Sequence, residues 1–195
     1  MRRSSSRERA SRLVSWVPFD ASPSSVLAWW LTYSAVPRAL TPTSFGEIST
    51  RSLIPGWTSV PDQRLAKGIL DTSVVIDLKR IEPLTLPVEV AVTAIAMAEL
   101  AAGPHATTDP AERARRQDRL QRAEAAFDAL PFDSAAARAY GMIYSAVIAK
   151  GRKARGARAV DLLIAAVAAA QGIPLVTRNP EDFGGLSSIV TIVEI

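Results

Sequence analysis

A chain of 195 residues that is 48% apolar can bury one good domain core with an appendage to spare, and it carries 23 Lys/Arg against 19 Asp/Glu, a net charge of +4. It has no cysteine, which removes disulfides, thiolate nucleophiles and cysteine-bound zinc together and points to a reducing compartment, the cytoplasm. Its one histidine, His105, removes histidine-pair nucleases and multi-histidine zinc sites, although not a serine-histidine triad by count alone, so chemistry falls to carboxylates, hydroxyls, amides and cations.

Composition changes near residue 67. Residues 1–67 hold all four tryptophans, thirteen serines and six of the thirteen prolines, with no sustained helical or strand period. They also hold nine Lys/Arg against four Asp/Glu, and the rest 14 against 15, so the excess positive charge belongs to the leader. The leader reads as a disordered or poorly packed extension, as a membrane- or partner-binding arm, or as the result of a start assigned upstream of the true one near Lys67; the sequence does not choose. The longest apolar stretch there, Val26 to Leu31, is far below the roughly 18 to 20 residues of a membrane span. Arg2 and Arg3 precede an apolar patch, but Pro23 and Pro37 interrupt it and no clean secretory cleavage site follows.

From Gly68 onward the pattern is orderly, and residues 68–195 read as one domain. Gly68 to Asp71 predicts the end of a buried strand, and Thr72 to Arg80 a short helix whose hydroxyls can cap its start. A second strand spans Val88 to Thr93, followed by an alanine-rich helix from Ala94 to Ala102 that Gly103-Pro104 closes. Asp109-Pro110 opens a long charged helix to about Ala129. Its Glu112/Arg116 and Asp118/Arg122 pairs stand at the i, i+4 spacing of an exposed helix, so its arginines read as a solvated face in preference to a nucleic-acid patch. Ser134 starts another helix, to about Lys150. A basic run, Lys150-Gly-Arg-Lys-Ala-Arg-Gly-Ala-Arg158, then leads into an almost purely aliphatic helix from Ala159 to Gln171, which Gly172 stops. Ile173 to Thr177 and Ser188 to Glu194 are the last strands. Strands alternating with helices predict an α/β fold with a parallel, helix-flanked sheet.

In such sheets ligands bind beyond the carboxyl ends of the strands, where the strand order reverses. Asp71 falls at such an end, Asn179 and Asp182 just beyond another, and Glu99 and Asp161 lie on helices within apolar sequence. Singly, each has a plain structural account: Asp71 or Asp161 as a helix cap, Glu99 as an exposed residue, Asp182 as a turn residue. Several converging carboxylates raise one another's pKa unless a cation offsets them. All-oxygen ligation suits Mg²⁺, with Mn²⁺ as a substitute, and such a centre fits phosphodiester hydrolysis without a histidine base.

Four motifs in order, Leu70-Asp-Thr-Ser73, Met97-Ala-Glu-Leu100, Asp161-Leu-Leu-Ile-Ala-Ala166 and Val176-Thr-Arg-Asn-Pro-Glu-Asp-Phe183, resemble those of PIN domains, and most closely the VapC-type toxin ribonucleases of bacterial toxin-antitoxin pairs. The resemblance covers residues 68–195 and implies a three-layer α/β/α sandwich with magnesium-dependent endoribonuclease activity. It implies Asp71 and Asp161 as principal metal ligands, Glu99 as ligand or water activator, and Asn179 or Asp182 completing the cluster. Thr72, Ser73 and Thr177 would orient carboxylates and the scissile phosphate. It further implies a cognate VapB-type antitoxin and a homodimer. Two positions depart from the pattern: Asn179 stands where an aspartate is frequent, leaving Asp182 to substitute at a second metal, and Ala96 stands where a hydroxyl is frequent.

The cations Arg152, Lys153, Arg155 and Arg158 would hold the RNA backbone, or form an exposed loop that only aids solubility. Single-stranded or loop RNA is the expected target. Among rivals, Gly151-Arg-Lys-Ala-Arg-Gly156 imitates a P-loop but has Ala157-Arg158 where Lys and Ser/Thr are needed. A phosphatase of the Asp-x-Asp kind is excluded by Ser73 in the second position, and no dinucleotide-type glycine motif follows the first strand. The remaining alternative is a non-catalytic RNA-binding or regulatory PIN-like module; the intact Asp71, Glu99 and Asp161 favour catalysis.

Overall fold

The computed structural model describes residues 17–18 and 64–195; the readings of the leader above lie otherwise outside the described residues. Five strands form one sheet: β1 (Val17–Pro18), β2 (Lys67–Leu70), β3 (Glu89–Val92), β4 (Leu175–Thr177) and β5 (Ile192–Glu194). They lie in the order β1-β3-β2-β4-β5. The four strands from β2 onward pair in parallel, and β1 adds an antiparallel edge to β3, which the sequence did not predict. Ile69, Leu70, Val92, Leu175 and Val176 are wholly buried, as a sheet covered by helices on both faces requires.

Among the described residues there are five α-helices, α1 (Thr72–Asp77), α2 (Ala94–Ala102), α3 (Pro110–Ala126), α4 (Ser134–Ala149) and α5 (Ala157–Gln171). Thr93 caps α2 by accepting from the Ala96 amide, Asp109 caps α3 with Pro110 in its first turn, and Asp133 accepts from two amides at the start of α4. Each cap satisfies amides that the helix itself leaves without partners. In α5, Leu162 and the run from Ile164 to Ala168 have no exposure at all. Full burial of each leucine, isoleucine or valine there contributes roughly 1.5–3 kcal/mol, which anchors α5 in the core.

Several boundaries differ from expectation. The segment after β2 is α-helical only to Asp77 and finishes as a 3-10 turn over Leu78–Arg80. The long charged helix ends at Ala126 because Phe127 turns to extended backbone and buries its ring. The last strand begins at Ile192, since the amides of Ile189 and Val190 both bond back to the Leu186 carbonyl and hold that stretch in a turn.

A candidate acidic active site

The parallel order reverses at β2: the chain leaves β2 for β3 on one side and later returns to β4 on the other. The crevice lies beyond the carboxyl ends of those two neighbours. Asp71 follows β2 there and Thr177 ends β4, and the Thr177 hydroxyl donates to Asp71 Oδ2 at 2.9 Å. Ser73 Oγ donates to the same oxygen at 2.7 Å. Asp71 is 5% exposed, and among the described residues its Oδ1 is buried with no hydrogen-bond partner.

The helix-capping accounts of the acids fail on geometry. Asp71 occupies the position before α1, and its carbonyl accepts from the Val74 and Val75 amides, but its carboxylate caps none of them. Nor do the hydroxyls of Thr72 and Ser73 cap that helix, as expected from the sequence: they turn instead to Glu99 and Asp71. Asp161 stands inside α5, whose start is at Ala157, two residues earlier than expected, and whose cap position is Gly156. Asp161 therefore faces the acidic region from within the helix instead of closing its end.

Thr72 Oγ1 donates to Glu99 Oε2 at 2.6 Å, so the hydroxyl that Ala96 cannot supply comes from the neighbouring helix. Glu99 has its pKa raised, chiefly by burial and further by the charge of Asp71, while the Thr72 hydrogen bond works the other way. Asp161 is pushed up to about 6, first by burial, then by the charges of Asp71, Asp182 and Glu99; Arg158 opposes this. Four carboxylates thus act on one another electrostatically, although among the described residues no three of them are arranged as a closed metal cage.

The donors nonetheless fit a hard divalent cation. Mg²⁺ keeps several waters and takes only one or two protein carboxylates besides substrate phosphates, so a closed cage is not required. The unpartnered buried oxygen of Asp71 and the mutual repulsion at Asp161 are both relieved by a positive charge between them.

The remaining predicted residues divide. Asp182 lies in a 3-10 turn, Pro180–Phe183, with Arg158 3.9 Å away. Arg158 is thereby drawn into the carboxylate cluster, its Nε buried without a partner among the described residues. Asn179 is exposed and is tied in through its backbone amide, which donates to Thr177 Oγ1. Arg152 clips the Asp182 loop, donating to the carbonyls of Glu181 at 2.7 Å and Gly184 at 2.8 Å. Lys153 and Arg155 are exposed. The sequence reading missed Arg178, whose amide donates to Ser73 Oγ and whose side chain pairs with Asp77; its place next to Thr177 was the available signal. It also missed a cavity of about 290 Å³ beside Glu99, lined by Thr72, Ile76, Leu100, Gly103, Glu112, Arg116 and Arg119.

The PIN domain family model matches residues 68–184. Ribonuclease VapC5 of Mycobacterium tuberculosis is 34% identical over 130 residues, 65% of this chain and 93% of that protein. The crystal structure of VapBC-5, a member of the VapBC family of toxin-antitoxin systems from the same organism, matches at 35% identity with a TM-score of 0.59, covering 67% of this chain and 99% of that one. VapBC2 from Rickettsia felis, bound to a DNA fragment from their promoter, shares the fold at 21% identity and a TM-score of 0.52, over 66% of this chain and 98% of that one.

Proposed function

This chain belongs to the PIN domain family, among the VapC-type proteins, and on that footing we propose that it is a divalent-metal-dependent endoribonuclease, the toxin of a toxin-antitoxin pair. The observation that carries the reading is the strand-end cluster in which a buried Asp71 oxygen lacks a partner while Asp71, Asp182 and Glu99 together raise Asp161. Magnesium is the proposed ion, with manganese able to replace it; when bound it offsets phosphate charge and acidifies a water.

The chain's own residues supply the rest. Ser73 and Thr177 fix one oxygen of Asp71, leaving the other turned to the cation position. Asp161 and Asp182 complete the ligand set, and Glu99, held by Thr72, accepts the proton of the attacking water. Asn179 contributes to the rim, where Thr177 anchors its backbone. Arg158 balances the carboxylates and meets the phosphate, and Lys153 and Arg155 extend that attraction along the RNA backbone, while Arg152 holds the Asp182 loop in place.

A ribonuclease of this kind harms its host unless restrained, so the functional unit includes a VapB-type antitoxin that covers the acidic cleft. Tyr144 and Ile148, one turn apart on α4, are 45% and 48% exposed, an apolar pair suited to a second copy in a homodimer. Among the described residues no helix is long and apolar enough to cross a membrane, and with the lack of cysteine this supports a cytoplasmic setting. The domain proper spans residues 68–195, with 1–67 as an extension that lends the sheet its edge strand β1 and, through Lys67, the first residue of β2.

Incubation of the full chain with structured RNA tests the reading. Cleavage in Mg²⁺ that chelator abolishes and added Mg²⁺ restores is the expected result; cleavage undiminished by chelator would overturn it.

A further inference from the structure

A second hollow, about 300 Å³, lies between α3 and the segment Val75–Arg80. Five cations line it, Lys79, Arg80, Arg115, Arg119 and Arg122, against two carboxylates, Asp77 and Asp118. It shares two wall residues, Ile76 and Arg119, with the cavity beside Glu99, so the basic groove lies directly next to the acidic centre.

The groove's cations are not equivalent. Arg122 is paired with Asp118 at 2.8 Å, Arg115 with Glu112 at 2.9 Å, and Arg80 lies 3.8 Å from Asp77. Arg119 is half-buried at the junction and, among the described residues, makes no hydrogen bond and no ion pair. A guanidinium withdrawn from water without a partner is unfavourable, and a phosphate is the ligand its planar fork matches best. Arg115, Arg119 and Arg122 follow one another at i, i+4 and i+7, a stripe about 10 Å long on one helix face. Ile76, 43% exposed, adds an apolar surface beside it.

We propose that this groove is the track of the single-stranded RNA flanking the scissile phosphate, and that Arg119 holds a backbone phosphate where the strand enters the acidic centre. The proposal rests on the ribonuclease reading and deepens it by assigning the route of the substrate. It reverses the sequence expectation that the α3 arginines form only a solvated face.

The test uses the full chain in chelator, with a labelled single-stranded RNA whose binding is titrated against salt. Arg119→Ala weakens binding roughly tenfold at low salt. It also reduces the slope of log affinity against log salt by about 0.7, one phosphate contact, and Arg119→Lys restores most of that slope. In Mg²⁺, the same alanine variant raises KM for the RNA with kcat little changed. Binding, slope and KM all unaltered in a folded Arg119→Ala protein that still cleaves would overturn the track and leave the groove to a protein segment, with the nuclease intact. Arg119-dependent binding by a wild-type chain that cleaves nothing would support the track while defeating the ribonuclease reading.

Discussion

At the scale of single residues, Asp161 shows what the cluster costs. Its folded pKa of about 6 lies above the ordinary 3.8, so the folded state holds this proton more tightly than the unfolded chain does. The resulting stability is fully present below about pH 3.8 and is lost as pH rises through 6. Asp161→Asn removes the charge that is penalised above that pH. In metal-free buffer at pH 7.5 the variant melts higher than the wild type, by roughly 2–4 °C, and the gap closes near pH 4. Thermal melts with added Mg²⁺ raise the wild type and not the variant. A difference in melting temperature that does not vary with pH would contradict the electrostatic origin.

Thr72 offers a complementary case. Its hydroxyl lowers the Glu99 pKa against burial and Asp71, so Thr72→Val moves that pKa further up. The acid limb of the pH-rate profile then shifts to higher pH and the rate at neutral pH falls roughly three- to tenfold, with Thr72→Ser restoring both. Such residue-level couplings were only partly legible. The sequence placed Asp71, Glu99 and Asp161 in the right company, but nothing in it says that Ser73 and Thr177 share one oxygen of Asp71, because that contact joins positions 106 residues apart.

At the scale of elements, apolar runs and punctuation made most of the domain readable. The strand cores, the opening of α3 at Asp109-Pro110 and the Gly172 stop follow from local chemistry, and the structure places them where that chemistry predicts. Misses occurred where tertiary contacts override local preference, as at Phe127, whose burial ends α3, and at Leu186, whose carbonyl delays β5. β1 could not be read at all, since its two residues pair with β3 across some seventy positions without a period of their own.

Gly68 was readable as part of a strand but not for its packing. A β-carbon there would meet Pro87 Cγ at 2.5 Å and Val176 Cγ2 at 2.8 Å, both buried neighbours. Gly68→Ala therefore forces β2 away from β4, and urea denaturation should show a loss of about 1–3 kcal/mol. Because Asp71 hangs from the end of β2, the same variant loses activity out of proportion to its stability. A variant as stable and as active as the wild type would show that the two strands have slack.

At the scale of the whole molecule, charge and chemistry are separated in a way composition alone conceals. The net +4 arises in residues 1–67, yet the described domain still carries a basic groove beside an acidic centre. An overall pI near 9.8 could not have located either. Opposite charges set side by side suit a polyanion held along its backbone by the cations and cut at the one phosphate that reaches the carboxylates. The sequence motifs identified the family because all four fall at strand ends or on helices facing the crevice; the groove escaped notice because its cations come from two elements, and only folding brings them together.

RNA hydrolysis in this crevice depends above all on the Asp71 carboxylate. The decisive comparison is of initial rates of cleavage of one single-stranded RNA in Mg²⁺ by the full-length wild type and Asp71→Asn, with both shown to be folded and to bind the RNA equally in chelator. A loss of roughly a hundredfold or more is predicted for the variant. Equal rates would show that cleavage does not depend on Asp71.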